Sequence, residues 1–221
     1  MDAPGHKGFT LLELLVAMSI TTVVAVATAS VAVALSHAHS RSDVMTESIQ
    51  SARAAMLSME ATIRRARLVT GADAERVVLW LGDAYEDKQI NLDELVVIRY
   101  LPDGDTVEHL QVIFPEGMPA ETLSALNVTR TLAQAGDPGA VLDLMSQTIY
   151  ADYLSTRILA TGVEDFQAVM DAAPPFSRIA LLRLTVGPPD QRIKLTDAAR
   201  LRADAVDSVA TVEGVPVLNL E

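Results

Sequence analysis

The sequence predicts an α+β fold: one long N-terminal helix, membrane-spanning in its first half and amphipathic in its second, packed on a mainly antiparallel β-sheet. Three observations carry this. No charged residue occurs from Leu14 to Leu35, and a run of that length crosses a bilayer core of about 30 Å as a helix. A helical period then continues, because Met45, Ile49, Ala52, Met56, Met59, Ile63 and Ala66 alternate at spacings of four and three. Beyond Ala72 the pattern changes to short β-rich runs punctuated by Gly and Pro.

The first helix is expected from about Phe9 to Leu68, roughly 90 Å at the standard rise per residue. No Pro or Gly interrupts it, and Gly71 supplies a stop. Its apolar stripe is expected to pack on the chain's own sheet. The other faces carry Glu47, Arg53, Glu60, Arg64 and Arg67, with Glu60 and Arg64 in the favourable i, i+4 order. Strands are expected at 75–81, 95–101 and 106–114. Leu101-Pro102-Asp103-Gly104-Asp105 reads as the turn between the last two, with Pro presetting φ and Gly tolerating a positive φ. A short helix is expected at 120–126 and another from Pro138 to Ser146. Further strands fall at 156–160, 163–170, 177–186 and 191–195, with Pro188-Pro189-Asp190 turning between the last two.

Composition narrows the chemistry. The chain has 221 residues, half of them hydrophobic, which suits one membrane helix and one globular domain. It has no Cys, so it forms no disulfide framework and no thiolate metal site. Its net charge of −12 suits it poorly to nucleic acid, whose phosphates require Lys and Arg. No Ser/His/Asp set, phosphate loop or HExxH motif appears, and no enzyme is expected. Trp80 reads as a packed strand residue. His37 and His39, two apart on a helix, point to different sides and make no metal pair.

Glu13 is the residue that chain statistics explain least. A carboxylate costs roughly 2.5–3.5 kcal/mol at the middle of a membrane helix and less near its end. Such a charge usually has a partner and a role. The segment Lys7-Gly8-Phe9-Thr10-Leu11-Leu12-Glu13, followed by the apolar run, resembles the prepilin-type signal of type IV pilins and type II secretion pseudopilins. The likeness covers roughly residues 5–35. It implies a leader, residues 1–8, removed by a prepilin peptidase between Gly8 and Phe9. It implies methylation of the new N-terminal Phe9, with Glu13 as the fifth mature residue. An ordinary secretory signal is instead cut after its apolar region.

Four segments follow from this resemblance: the leader 1–8, a transmembrane and filament-core helix 9–35, its amphipathic continuation 36–70, and a periplasmic α+β domain 71–221, pilin-like in fold. It implies insertion in the bacterial inner membrane with the N-terminus cytoplasmic, and assembly with other pilin-like subunits through the N-terminal helix. In that assembly Phe9 and Glu13 are the residues implied to matter, the Glu13 carboxylate pairing with a neighbour's N-terminal amine. The size of the domain and the absence of Cys favour a minor pseudopilin of type II secretion. The segment Ala160-Thr161-Gly162-Val163-Glu164-Asp165-Phe166-Gln167 resembles the J- or W-type minor subunits. The alternatives are a type IV minor pilin acting as a tip adhesin or in DNA uptake, and an ordinary secreted protein. Acidity argues against DNA.

One segment resembles a metal site. From Asp83 to Glu94 the chain is similar to the EF-hand calcium loop, with carboxylates at the ends and a backbone carbonyl between. Asp83, Asp87, Gln89 (by its carbonyl), Asn91 and Glu94 fall on ligand positions. Tyr85 stands where an oxygen ligand belongs, and Lys88 where a Gly makes the sharp turn. Calcium, if bound, is expected to bind weakly; no other cofactor is expected.

The processing reading makes a direct prediction. Mass spectrometry of membrane-extracted protein should find a mature chain that begins at methylated Phe9. A mature terminus beyond residue 30 would instead indicate an ordinary secretory signal.

Overall fold

A computed structural model describes residues 10–187, 191–202 and 209–218. The chain divides into two compact units, Met1–Thr46 and Glu47–Glu221. Helix α1 is continuous from Leu11 to Arg65. In the first unit its side chains are exposed apart from a half-buried Met45. Leu11, Val23 and Val31 are each more than 60% accessible, so among the described residues of this unit no core covers the apolar run. The segment is long and apolar enough to cross a membrane. Its serines and threonines return hydroxyl bonds to carbonyls three or four residues back, as from Thr21 to Ala17 at 2.8 Å. Each Ser and Thr between Leu14 and Leu35 is satisfied by this local pairing.

The second unit begins with the amphipathic part of α1. Ala52, Ala55, Met56, Met59 and Ile63 are buried and join one continuous core with the strands. The expected stripe packs as read. The helix does not continue to a glycine cap, however. It ends at Arg65, and β1 (Leu68–Ala72) follows at once. Leu68 and Val69 are fully buried, opposite Trp80 and Leu79 of β2 (Arg76–Trp80). The Arg67 N–H already donates to the Trp80 carbonyl at 2.7 Å. Burial of two aliphatic side chains and a full strand ladder outweigh one more helical turn.

The main sheet is ordered β1-β2-β4-β5-β7, with β4 Leu95–Leu101, β5 Thr106–Val112 and β7 Leu154–Thr161. A second sheet is ordered β10-β9-β8, from β8 Val163–Met170, β9 Ile179–Val186 and β10 Ile193–Arg200. Two short ladders join β3 (Ile90–Asn91) to β6 (Thr129–Arg130), and β11 (Val209–Val212) to β12 (Val215–Leu218). Every pairing among the described residues is antiparallel. Helices α2 (Ala120–Leu126), α3 (Leu132–Ala135) and α4 (Pro138–Met145) occupy the β5-to-β7 connection. Asp137 caps α4 by accepting from the Gly139 and Ala140 N–H groups. The Pro188-Pro189-Asp190 turn lies outside the described residues.

Two turn expectations change. Pro102–Gly104 forms a 3₁₀ turn as Pro at its start favours, but the left-handed residue is Asp105, φ 49°, and not Gly104. Asp tolerates that region better than most L-residues. Gly71, expected as a helix stop, lies inside β1 beside an irregularity in register between Val69 and Gly71. Its lack of a side chain serves a close approach. A Cβ there would sit 2.4 Å from the carbonyl oxygen of Gly136 at the end of α3.

Gly71→Ala is therefore expected to force β1 and α3 apart and destabilise the domain by about 1–3 kcal/mol. Thermal or urea unfolding of the variant checks this; an unchanged midpoint would mean the two backbones separate without cost.

Candidate functional site

The chain's candidate sites are the start of α1 and the connection from β2 to β4. At the first, Thr10 precedes the helix and Glu13 lies in its first turn. The Thr10 N–H and hydroxyl donate to Glu13 Oε2 at 3.0 and 3.1 Å, and the Glu13 N–H donates to Thr10 Oγ1 at 3.2 Å. This is a reciprocal capping box, which satisfies backbone donors that a helix start otherwise leaves open. The pattern Thr-x-x-Glu before an apolar run signals it in the sequence, and the reading of Glu13 as an intermolecular partner passed over it. Oε1 of Glu13 takes no part in the box. Gly8 and Phe9 lie outside the described residues.

The β2-to-β4 connection is built round Glu94, which is 4% exposed. Its Oε2 accepts from the Trp80 indole N–H at 2.9 Å and from the Asn91 N–H at 3.0 Å. Its Oε1 accepts from the Ala84 N–H at 2.6 Å. Burial pushes the Glu94 carboxyl above its ordinary value, against the pull of these three donors. Beside it the Tyr85 hydroxyl donates to Asp93 Oδ2 at 2.5 Å. That bond, with partial burial and the nearby carboxylate charges, pushes the phenol up to about 12.

The residues expected to ring a calcium ion are bonded to one another and to the backbone. Asp83 accepts from the Asp87 and Lys88 N–H groups at 3.0 and 2.8 Å. Asp87 accepts from the Gln89 N–H and the Asn91 side-chain amide at 2.9 and 3.0 Å. Glu94, the residue that would grip an ion with both oxygens, turns them toward hydrogens of the domain interior. Among the described residues no three His, Asp or Glu side chains are arranged to hold a metal ion. The donor set does not fit calcium in this geometry. The backbone nevertheless makes the bend the loop pattern implies: Lys88, at the place of the usual glycine, adopts φ 62°, and Glu86 φ 55°.

A third cluster has no forewarning in the sequence. His109 of β5 pairs across the ladder with Arg157 of β7. Arg157 donates to Ser58 Oγ of α1 at 2.9 Å. Burial, then the charges of Arg157 and Arg65, hold the His109 imidazole below its ordinary value. These residues lie far apart in the chain, and only the sheet order joins them.

Residues 4–29 match the family model described as the prokaryotic N-terminal methylation motif. No curated protein and no solved structure is similar enough to the chain to match it. The N-terminal segment thus carries the prepilin-type methylation motif that type IV pilins and pseudopilins share, as Gly8, Phe9 and Glu13 led us to expect. The motif marks a structural, pilin-like subunit that is processed by a prepilin peptidase and assembles with other such subunits.

Glu94→Gln should destabilise the domain by about 1–3 kcal/mol, because the amide NH₂ must face an N–H donor that the carboxylate accepted from. A carboxyl raised by folding takes up its proton more readily folded than unfolded. The deficit of the variant should therefore widen as pH falls toward 4.5, the ordinary Glu value. Urea unfolding of both chains from pH 7 to pH 4.5 reads the deficit and its trend; a narrowing gap would contradict the sign.

Proposed function

We propose that this chain is a minor pseudopilin of a type II protein secretion system. It enters the inner membrane with its N-terminus in the cytoplasm and its α+β domain in the periplasm. A prepilin peptidase cuts after Gly8, and the mature chain joins a short periplasmic filament through its N-terminal helix. The observation that carries the reading is the methylation motif over residues 4–29 with Glu13 at the head of an uncharged, exposed apolar helix. Such a helix must be covered by lipid before assembly and by other apolar helices after it.

The secretion branch is favoured over the pilus branch by the Cys-free domain and by the segment 160–167. In the folded domain that segment runs from the end of β7 through Gly162, φ 67°, into β8. It is thus the link between the two main sheets, where a family resemblance would reflect shared architecture. The acidic overall charge disfavours a DNA-uptake role.

Glu13 has two separable tasks in this reading. Its Oε2 caps the helix, and its charge offsets the N-terminal amine of a neighbouring subunit in a setting where either charge alone is costly. Glu13→Gln keeps a side-chain acceptor suited to a capping box and removes the charge; Glu13→Ala removes both. Both variants should insert normally in the membrane, and both should lose filament assembly and secretion. Fractionation with an assembly assay separates the possibilities. Normal assembly by the Gln variant would leave capping as the only role and end the charge-pairing reading.

A further inference from the structure

We propose that the outer face of the second sheet, at its β8–β9 turn, docks on an anionic phospholipid surface. Residues that pair across this sheet share a face. Val169 of β8 stands opposite Leu181 of β9, which stands opposite Ala198 of β10. The row before it holds Gln167, Arg183 and Thr196, and the row nearer the turn pairs Ile179 with Arg200. The alternate residues of β9, Ala180, Leu182 and Leu184, are fully buried in the core. An antiparallel sheet with one face on a core normally turns polar residues outward. Here Val169 and Ile179 are instead 46% and 41% accessible. The turn adds Phe176, which is also exposed. It is a tied turn: Asp171 Oδ1 accepts from the Ser177 hydroxyl and from the Arg178 and Ile179 N–H groups at 2.9, 2.9 and 3.0 Å. Ser177 is fully buried.

The border of this apolar patch is cationic. Arg178, Arg183 and Arg200 are exposed, in a chain that carries 29 acidic against 17 basic residues. Among the described residues none of the three has a carboxylate at ion-pair distance. The acid on this face, Asp165, shares a row with Thr185 and Lys194 at the end away from the turn, and Asp171 binds its own turn. Apolar side chains bordered by arginines fit a bilayer interface, where the apolar groups enter the acyl boundary and the guanidinium groups meet phosphate. The chain itself brings the lipid within reach. Its apolar run is long enough to cross a membrane, and the second unit begins at Glu47, about 18 Å of helix beyond Leu35. A face tethered in this way meets the lipid surface at a high effective concentration.

This inference rests on membrane insertion of α1 and is independent of any role in a filament. The chain has no native Cys, so a single introduced thiol reports one place. Full-length Ala198→Cys, exposed on this face and carrying an environment-sensitive fluorophore, is reconstituted in nanodiscs of phosphatidylcholine alone or mixed with phosphatidylglycerol. The expected result is a blue-shifted emission in the anionic discs only, reversed by high salt. The same label at Thr156→Cys, an exposed site on β7, should not respond. In the Ala198→Cys chain, Arg183→Glu and Arg200→Glu should each lower the ratio of docked to free face about fivefold. Arg200→Glu keeps the test decisive should Arg183→Glu lower the melting temperature. Phe176→Ser should weaken docking with the charge unchanged. A label at Val23→Cys, in the apolar run, reports insertion in both kinds of disc. A Val23 label left in water would overturn the membrane reading and the proposal together. With Val23 inserted, an Ala198 label indifferent to lipid charge and to charge reversal would overturn the proposal alone. An Ala198 blue shift that persists in detergent would place a protein on this face and overturn it as well.

Discussion

The constraint on which this chain turns is an apolar helical surface with nothing of its own to cover it. From Leu14 to Leu35 no charge breaks the run, and its side chains are exposed. Apolar area left in water costs about 25 cal/mol per Å², so lipid or other helices must complete the fold. The sequence answers with local self-sufficiency. Hydroxyls bond back to the helix, Glu13 satisfies the first turn, and no side chain in the run demands water. What remains exposed is shape and apolarity, the features through which helices associate in lipid.

The second unit solves a different problem, how to set a helix on a sheet in a strongly acidic chain. Small residues at Ala52 and Ala55 and long ones at Met56, Met59 and Ile63 form the buried face of α1. Acidic groups that cannot stay in water are met by donors. Glu108 takes Arg99 across the ladder at 2.8 Å, and Glu94 takes three N–H groups. Buried carboxylates thus tie neighbouring elements together through donors as well as through the apolar core. Glu94 ties the end of β2, the loop after it and β3 to the start of β4.

Much of this was legible from residue order. The strands Leu95–Leu101 and Val163–Met170 and the helix Ala120–Leu126 fall where local pattern puts them, because alternation and turn residues agree there. Strand β1 was hidden because Gly71 looks like a helix stop, while its actual use, room for Gly136, is a tertiary fact. The β11–β12 hairpin was hidden for a related reason. Its turn places Glu213 and Gly214 at φ 51° and 81°, the geometry that Asn-Gly usually announces, with Glu in the first place. The prepilin signal was fully legible, since it is read by order and spacing. The Arg65–His109–Arg157 group was not, since no local pattern links a helix end to two strands.

The chain contains a single tryptophan, and it is the fully buried Trp80 whose indole N–H meets Glu94. Arg67 lies 5.8 Å from the centre of the same ring. All intrinsic indole emission of this protein therefore originates at one junction, where the helix gives way to the sheet and a carboxylate is sealed inside. Its colour and intensity form a built-in optical gauge of that junction, separate from events at the membrane helix and needing no label.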